Sequence, residues 1–237
     1  YTYLSYGSRS PIDWRGYFRR SWSHNVILVD GKSQNDEVNE VTRPATDWKI
    51  TDEYDFALGS FEKGWDEISG IHQRAFINIK GKCWLICDLL SLEASSSIQT
   101  LWHFHPDCTV PVPQGSQVMS TDPGLGNLRI VPVSPEDLQW SVDVVKGQKV
   151  PTYQGWYSER QNRKEPSPCA IYEAQNVKSA SFAWLITSGS GTPPAFEAEI
   201  LSSEEKKMNI RITDNQGADY VVEVDFGTKE GQVTSGL

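Results

Sequence analysis

The stretch HQRAFINIKGKCWLICDLLS, residues 72–91, consists of two apolar runs rich in Ile, Leu, Phe and Trp, joined by Lys80-Gly81-Lys82. Such runs, separated by a short glycine-containing turn, predict two antiparallel strands. The same signal recurs in both directions. HNVILVDG (24–31) ends in an Asp-Gly turn, and DEYDFALGSF (52–61) alternates up to Gly59. SIQTLWHFHPDCTV, GLGNLRIVPV, SASFAWLITSG and PAFEAEILSS follow, and MNIRIT and DYVVEVDF flank the turn residues Asp214-Asn215-Gln216-Gly217. Helical periodicity is nearly absent; PEDLQWSVDVVKG (135–147) is the one short amphipathic candidate. Many strands with turn chemistry between them predict an all-β chain, an antiparallel β-sandwich forming one domain over residues 1–237. TYQGWYSERQNRKEPSPCA (152–170), polar and carrying two prolines, reads as a long surface loop.

Composition narrows the function. A formal net charge of -9 argues against a nucleic-acid partner, because phosphate binding needs a basic face. No apolar run approaches the roughly 20 residues that span a bilayer, so no membrane association is expected. Positive charge is concentrated locally, with Arg9, Arg15, Arg19 and Arg20 set against Asp13 alone, which suits either a solvated turn or an anionic ligand. Nine Trp and nine Tyr suit a β-rich core or a carbohydrate cleft. Cys83 and Cys87 lie about 13 Å apart along one strand, too far to bridge.

LWHFHPD (101–107) sets His103 and His105 two apart, a spacing that aims both imidazoles at one strand face. With His72 from a neighbouring strand they would resemble a cupin-like metal site. Against that, Trp102 and Phe104 claim the core face, which leaves the histidines on the outer or cleft side. No Gly-x-Ser-x-Gly elbow is present; GKSQ lacks the rest of a P-loop, and DPGLGNLR has no βα unit around it. Residue chemistry alone therefore reaches an acidic β-sandwich with a basic, aromatic N-terminal lip, and no reaction.

YFRRSWSHNVILVDGKSQ (17–34) resembles a segment of the heparinase II/III-type polysaccharide lyases, in which an arginine-bearing strand leads into His-Asn, an apolar strand and Val-Asp-Gly. GIHQRAFINIKGKCWLICDLLS is similar to the family's His-x-Arg strand and the Asp-bearing strand after it. LWHFHPD and GWYS…EPSPCAIYEA continue the match in order. The resemblance implies the C-terminal antiparallel sandwich of a longer enzyme whose N-terminal (α/α) toroid precedes Tyr1. That enzyme would cleave uronic-acid glycans such as heparan sulfate or alginate by β-elimination. It also implies zinc or another divalent metal, with His24 as one of three ligands and the other two upstream, so that metal binding by this chain alone is weak or absent. Arg19, Arg20 and Asn25 match cleft positions. The family match implies a periplasmic or secreted location, and a chain inactive by itself. A non-catalytic carbohydrate-binding or structural module is the alternative.

Overall fold

A computed structural model describes residues 13–35, 48–160 and 163–236. A short helix α1 (Trp14–Arg19) and a 3-10 turn (Ser21–Ser23) precede β1 (Ile27–Val29), β2 (Trp48–Ile50), β3 (Tyr54–Phe61), β4 (Gly70–Ile79) and β5 (Cys83–His103). Then come β6 (Val118–Met119), β7 (Gly126–Val133), β8 (Ser141–Lys146), β9 (Trp156–Tyr157), β10 (Glu165–Pro166) and β11 (Pro168–Ser190). The chain ends in β12 (Glu197–Glu204), β13 (Lys207–Thr213), β14 (Asp219–Asp225) and β15 (Glu230–Ser235). The hairpin expected at Lys80-Gly81-Lys82 joins β4 to β5, with Gly81 at φ 71, a conformation open to glycine.

All strand pairs are antiparallel, and one large sheet runs β2-β3-β4-β5-β11-β7-β6, with β1 added to β5 and β8 to β11. The two longest strands double back. Tyr172 and Trp184 are twelve positions apart on β11, which would separate them by roughly 40 Å on a straight strand. Their rings are 4.7 Å apart. The bend falls where the β5–β11 register slips between Ala174 and Ser179, and Asn176 there has φ 59. A bulge of this kind breaks the ladder and turns the strand.

The large sheet thus forms two layers. An outer half carries β1, β8 and the ends of β5 and β11 near His103 and Pro168; an inner half carries β2, β3, β4, β6, β7 and the rest. Ile98, Trp102, Tyr172, Phe182 and Trp184 are buried between them. The opposite face of the inner half, with Phe56, Ile77, Leu85 and Leu185, packs on Ile210, Ile212, Val222 and Val224 of the sheet β12-β13-β14-β15. Three layers of this kind bury both faces of the central one, which is why residues 83–92 read as an almost unbroken apolar run.

Two local expectations need correction. Residues 135–147 form no helix: Ser141–Lys146 is β8, paired with β11, because its β-branched residues suit a ladder better than a helix. The one α-helix among the described residues is instead α1, six residues long and too short for periodicity to show; Asp13 caps it by accepting from the Gly16 N–H at 2.9 Å. Residues 152–170 are likewise no simple surface loop. They carry β9, β10 and a buried Gln154. Gly155 has φ +74, and a Cβ there would lie 2.8 Å from the carbonyl oxygens of both Ser167 and Val145, so only glycine fits beside Gln154.

Candidate functional site at the outer sheet face

The site is built on the outer face of the outer half. Leu28, Leu101 and Cys169 project there and form a small cluster that Trp22 covers. Trp14, Tyr17 and Phe18 of α1 pack beside it with Tyr153 and Trp156. The 3-10 turn is held to the loop after β1, since the Ser21 N–H donates to Ser33 Oγ at 3.0 Å and the Gln34 N–H to Ser21 Oγ at 2.9 Å. Between them lies an open hollow lined by Arg19, Ser21, His24, Ser33, Gln34 and Asn35.

Register determines what meets what. β1 pairs with β5 so that Ile27 lies opposite Thr100 and Leu28 opposite Gln99. Continuing that count brings Asn25 alongside Trp102 and His103. The Asn25 side-chain oxygen accepts the His103 backbone N–H at 2.8 Å and faces His103 Nδ1 at 3.1 Å. On the other side of the ring, His103 Nε2 lies 3.2 Å from Gln154 Oε1. That oxygen also accepts from the Tyr17 hydroxyl at 2.9 Å, and Gln154 Nε2 donates to the Trp22 carbonyl at 2.9 Å.

Burial lowers the pKa of both histidines. It pushes His103 down to about 4, against the hydrogen bond to Gln154 and with the neighbouring His24 adding to the effect. His24 is lowered by burial too, opposed by a hydrogen bond to the Phe18 carbonyl. At neutral pH both rings are therefore uncharged, and a neutral His103 donates from only one nitrogen, to Asn25 or to Gln154. Burial raises Tyr17 and the Cys169 thiol above their ordinary values, so neither is a nucleophile or base at neutral pH.

The stability consequence has a definite sign. His103 is depressed when folded and titrates at its ordinary 6.5 when unfolded, so between those values the unfolded chain binds the extra proton. Stability is full above about 6.5 and declines as pH falls toward 4. Allowing for the partial exposure of the ring, the loss is about 2–3 kcal/mol. Urea titrations across this window are expected to show that slope in the parent chain and a flatter one in His103→Gln; equal slopes in the two would contradict the assignment.

Among the sequence candidates, Arg19 reaches the hollow beside His24, and Arg20 is exposed with its guanidinium 5.8 Å from the Trp22 ring. Arg9 lies outside the described residues. His105 is exposed beside Asp107 and does not share the His103 site. The cupin-like grouping is not formed, because His72 is buried in the inner half, 2.6 Å from Asp88. Among the described residues no three His, Cys, Asp or Glu side chains gather as a metal site. His103, a neighbour of His24, has both nitrogens turned to amide oxygens. These residues alone do not fit a zinc centre.

The sequence singled out Arg19, Arg20, His24 and Asn25, and it set His103 on the outer or cleft side without joining it to them. His103 carried one usable signal: with Trp102 and Phe104 in the core, alternation sends it to the outer face. Arg74 was marked only as the arginine of the family-like His-x-Arg strand, and no local chemistry marks Gln154 or Tyr17 as part of the site, because these placements depend on pairings between distant segments.

A family model described as heparinase II/III-like, C-terminal, matches residues 1–213. Among solved structures, the heparan sulfate lyase HepC from Pedobacter heparinus is 17% identical with a TM-score of 0.75 over 94% of this chain and 33% of that one. The heparinase III BT4657 gene product is 14% identical with a TM-score of 0.74, again over 94% of this chain and 33% of its own. At such identities the likeness is one of fold, and the chain spans about a third of the length of these structures. No curated protein matches it.

Proposed function

Because this chain belongs to the heparinase II/III-like C-terminal domain family, we propose that it is the β-sandwich part of a polysaccharide lyase, forming one wall of a cleft for an acidic, uronic-acid glycan. The observation that carries the reading is an open hollow lined by His24 and the exposed Arg19, set on a turn whose next residue, Asn25, is hydrogen-bonded to His103. β-Elimination needs a base, an acid and neutralisation of the uronate carboxylate. Arg19 and Arg20 supply positive charge at the rim. Asn25 and His103 hold each other in place, which ties the turn that carries His24 to β5. Heparan sulfate is favoured over alginate, in keeping with the names of the solved structures that share the fold.

The remaining parts of the proposal rest on the family resemblance. An N-terminal toroid of the same parent chain would supply the other wall and most proton-transfer groups. Zinc would be held by His24 together with ligands from outside this chain; the hydrogen bond that the His24 ring donates to the Phe18 carbonyl is the kind of outer contact that orients a ligating imidazole. A periplasmic or secreted location follows from a polymeric substrate that does not cross the inner membrane.

The test is the appearance of unsaturated uronate absorbance when heparan sulfate or alginate is mixed with the longer protein. Activity on heparan sulfate is expected from the longer protein, none from residues 1–237 alone, and His24→Ala in the longer protein is expected to lower kcat/KM by about 100-fold. An unaltered kcat/KM in that variant, or glycan binding without turnover by the longer protein, would replace this reading with the non-catalytic carbohydrate module.

A further inference from the structure

Arg74 lies on β4, which pairs with β3 and β5 and makes no ladder with β1. Its side chain nevertheless crosses the buried layer to the site. Nε donates to Asp88 Oδ1 at 2.7 Å and Nη2 to Asp88 Oδ2 at 3.0 Å, a two-pronged contact with one carboxylate. Nη1, the remaining prong, donates to the Asn25 backbone carbonyl at 2.6 Å, and the guanidinium carbon lies 5.7 Å from the Trp102 ring centre. We infer that Arg74 is a positioning residue for the His24–Asn25 turn, clamping the Asn25 carbonyl from inside the sandwich while His103 holds the Asn25 side chain from the strand.

The geometry requires a rigid, planar, forked donor. With two prongs fixed on Asp88 and the ring face against Trp102, the direction of the third is determined, and so is the point in space where the Asn25 carbonyl must sit. Lysine keeps the charge but has no fork; it satisfies Asp88 or Asn25 and not both. Asp88 is itself held by His72 and by the Trp184 indole N–H at 3.0 Å, so the clamp is anchored in the middle of the core. The turn that carries His24 is thereby tied to a fully buried carboxylate rather than to its own surface loop.

This inference deepens the proposed lyase reading and rests on it for its kinetic test. In the longer protein acting on heparan sulfate, Arg74→Lys is expected to lower kcat by about 10- to 100-fold, the scale of a small displacement of an active-site group. Trp184→Phe removes one hydrogen bond from Asp88 without touching the Arg74–Asn25 contact. It is expected to lower the Tm comparably and leave kcat within about 2-fold. Added guanidinium ion is expected to restore part of the activity of Arg74→Ala. Parallel losses of kcat and Tm in Arg74→Lys and Trp184→Phe, or no restoration by guanidinium, would reduce Arg74 to a structural residue. A second readout stands apart from lyase activity. In the 237-residue chain, the Asn25 side-chain amide and His103 backbone amide NMR signals are expected to move in Arg74→Lys and to stay in place in Trp184→Phe. Should the longer protein prove inactive, the lyase reading fails and these shifts alone decide the clamp; unmoved signals in Arg74→Lys would overturn it.

Discussion

Asp88→Asn is expected to destabilise the fold by about 3–5 kcal/mol, the scale of breaking a buried ion pair from one side. The Asp88 carboxylate is fully buried and accepts from Arg74 twice, from His72 at 2.6 Å and from Trp184 at 3.0 Å. An asparagine in its place loses the charge that compensates the buried guanidinium, and it turns an NH2 group toward donors. Denaturant titration checks this as a lower midpoint at unchanged slope, and a loss below about 1 kcal/mol would refute it. The wild-type carboxylate also has a pH signature. Burial alone would raise its pKa, but Arg74 and then His72 outweigh burial and hold it at about 2, against an ordinary 3.8. A depressed acid contributes stability that is complete above the unfolded value and is lost as pH falls through the folded one. The parent chain should therefore lose this contribution between about pH 4 and pH 2, and Asp88→Asn should not.

Trp184→Ala is expected to cost about 3–5 kcal/mol, as for other large-to-small changes at buried aromatics. Trp184 is fully buried where the doubled sheet closes, with ring centres at 4.7 Å from Tyr172, 5.2 Å from Trp140 and 5.7 Å from Trp102. Removing the indole leaves a cavity between the inner and outer halves and takes a donor from Asp88. Since the two residues share a hydrogen bond, the double substitution with Asp88→Asn should fall short of the sum of the singles. Full additivity in the double-mutant cycle would argue that the Asp88 network and the aromatic joint are independent. Near-ultraviolet circular dichroism should report the loss of the aromatic cluster even where far-ultraviolet signal persists.

Residues 72–91 and 206–227 were legible as hairpins because two-residue alternation and turn chemistry are local properties: side-chain direction on a strand and a positive φ at Gly81 or Gly217 are set by neighbouring atoms. The same local logic sent Trp102 inward and His103 outward, and the family-like order of Arg19, His24 and Asn25 marked one region of the chain as a candidate site. What local chemistry does not contain is register and long-range bending. β1 meeting β5 with Ile27 opposite Thr100 is what places Asn25 on His103, and a one-residue slip would turn that ring away. The slip near Asn176 is what folds β11 so that Tyr172 reaches Trp184. Burial then gave the polar groups their roles. His72, a candidate ligand by residue type, became a partner of Asp88. Gln154, an undistinguished residue in an apparent loop, became the amide on which Tyr17 and His103 converge. The amino-acid sequence by itself determined an antiparallel sandwich and the turn that carries His24, since both follow from contacts within a few residues. Which groups surround that histidine was decided only when segments up to 137 positions apart were brought together, because hydrogen-bond partners and desolvation exist only in the packed state.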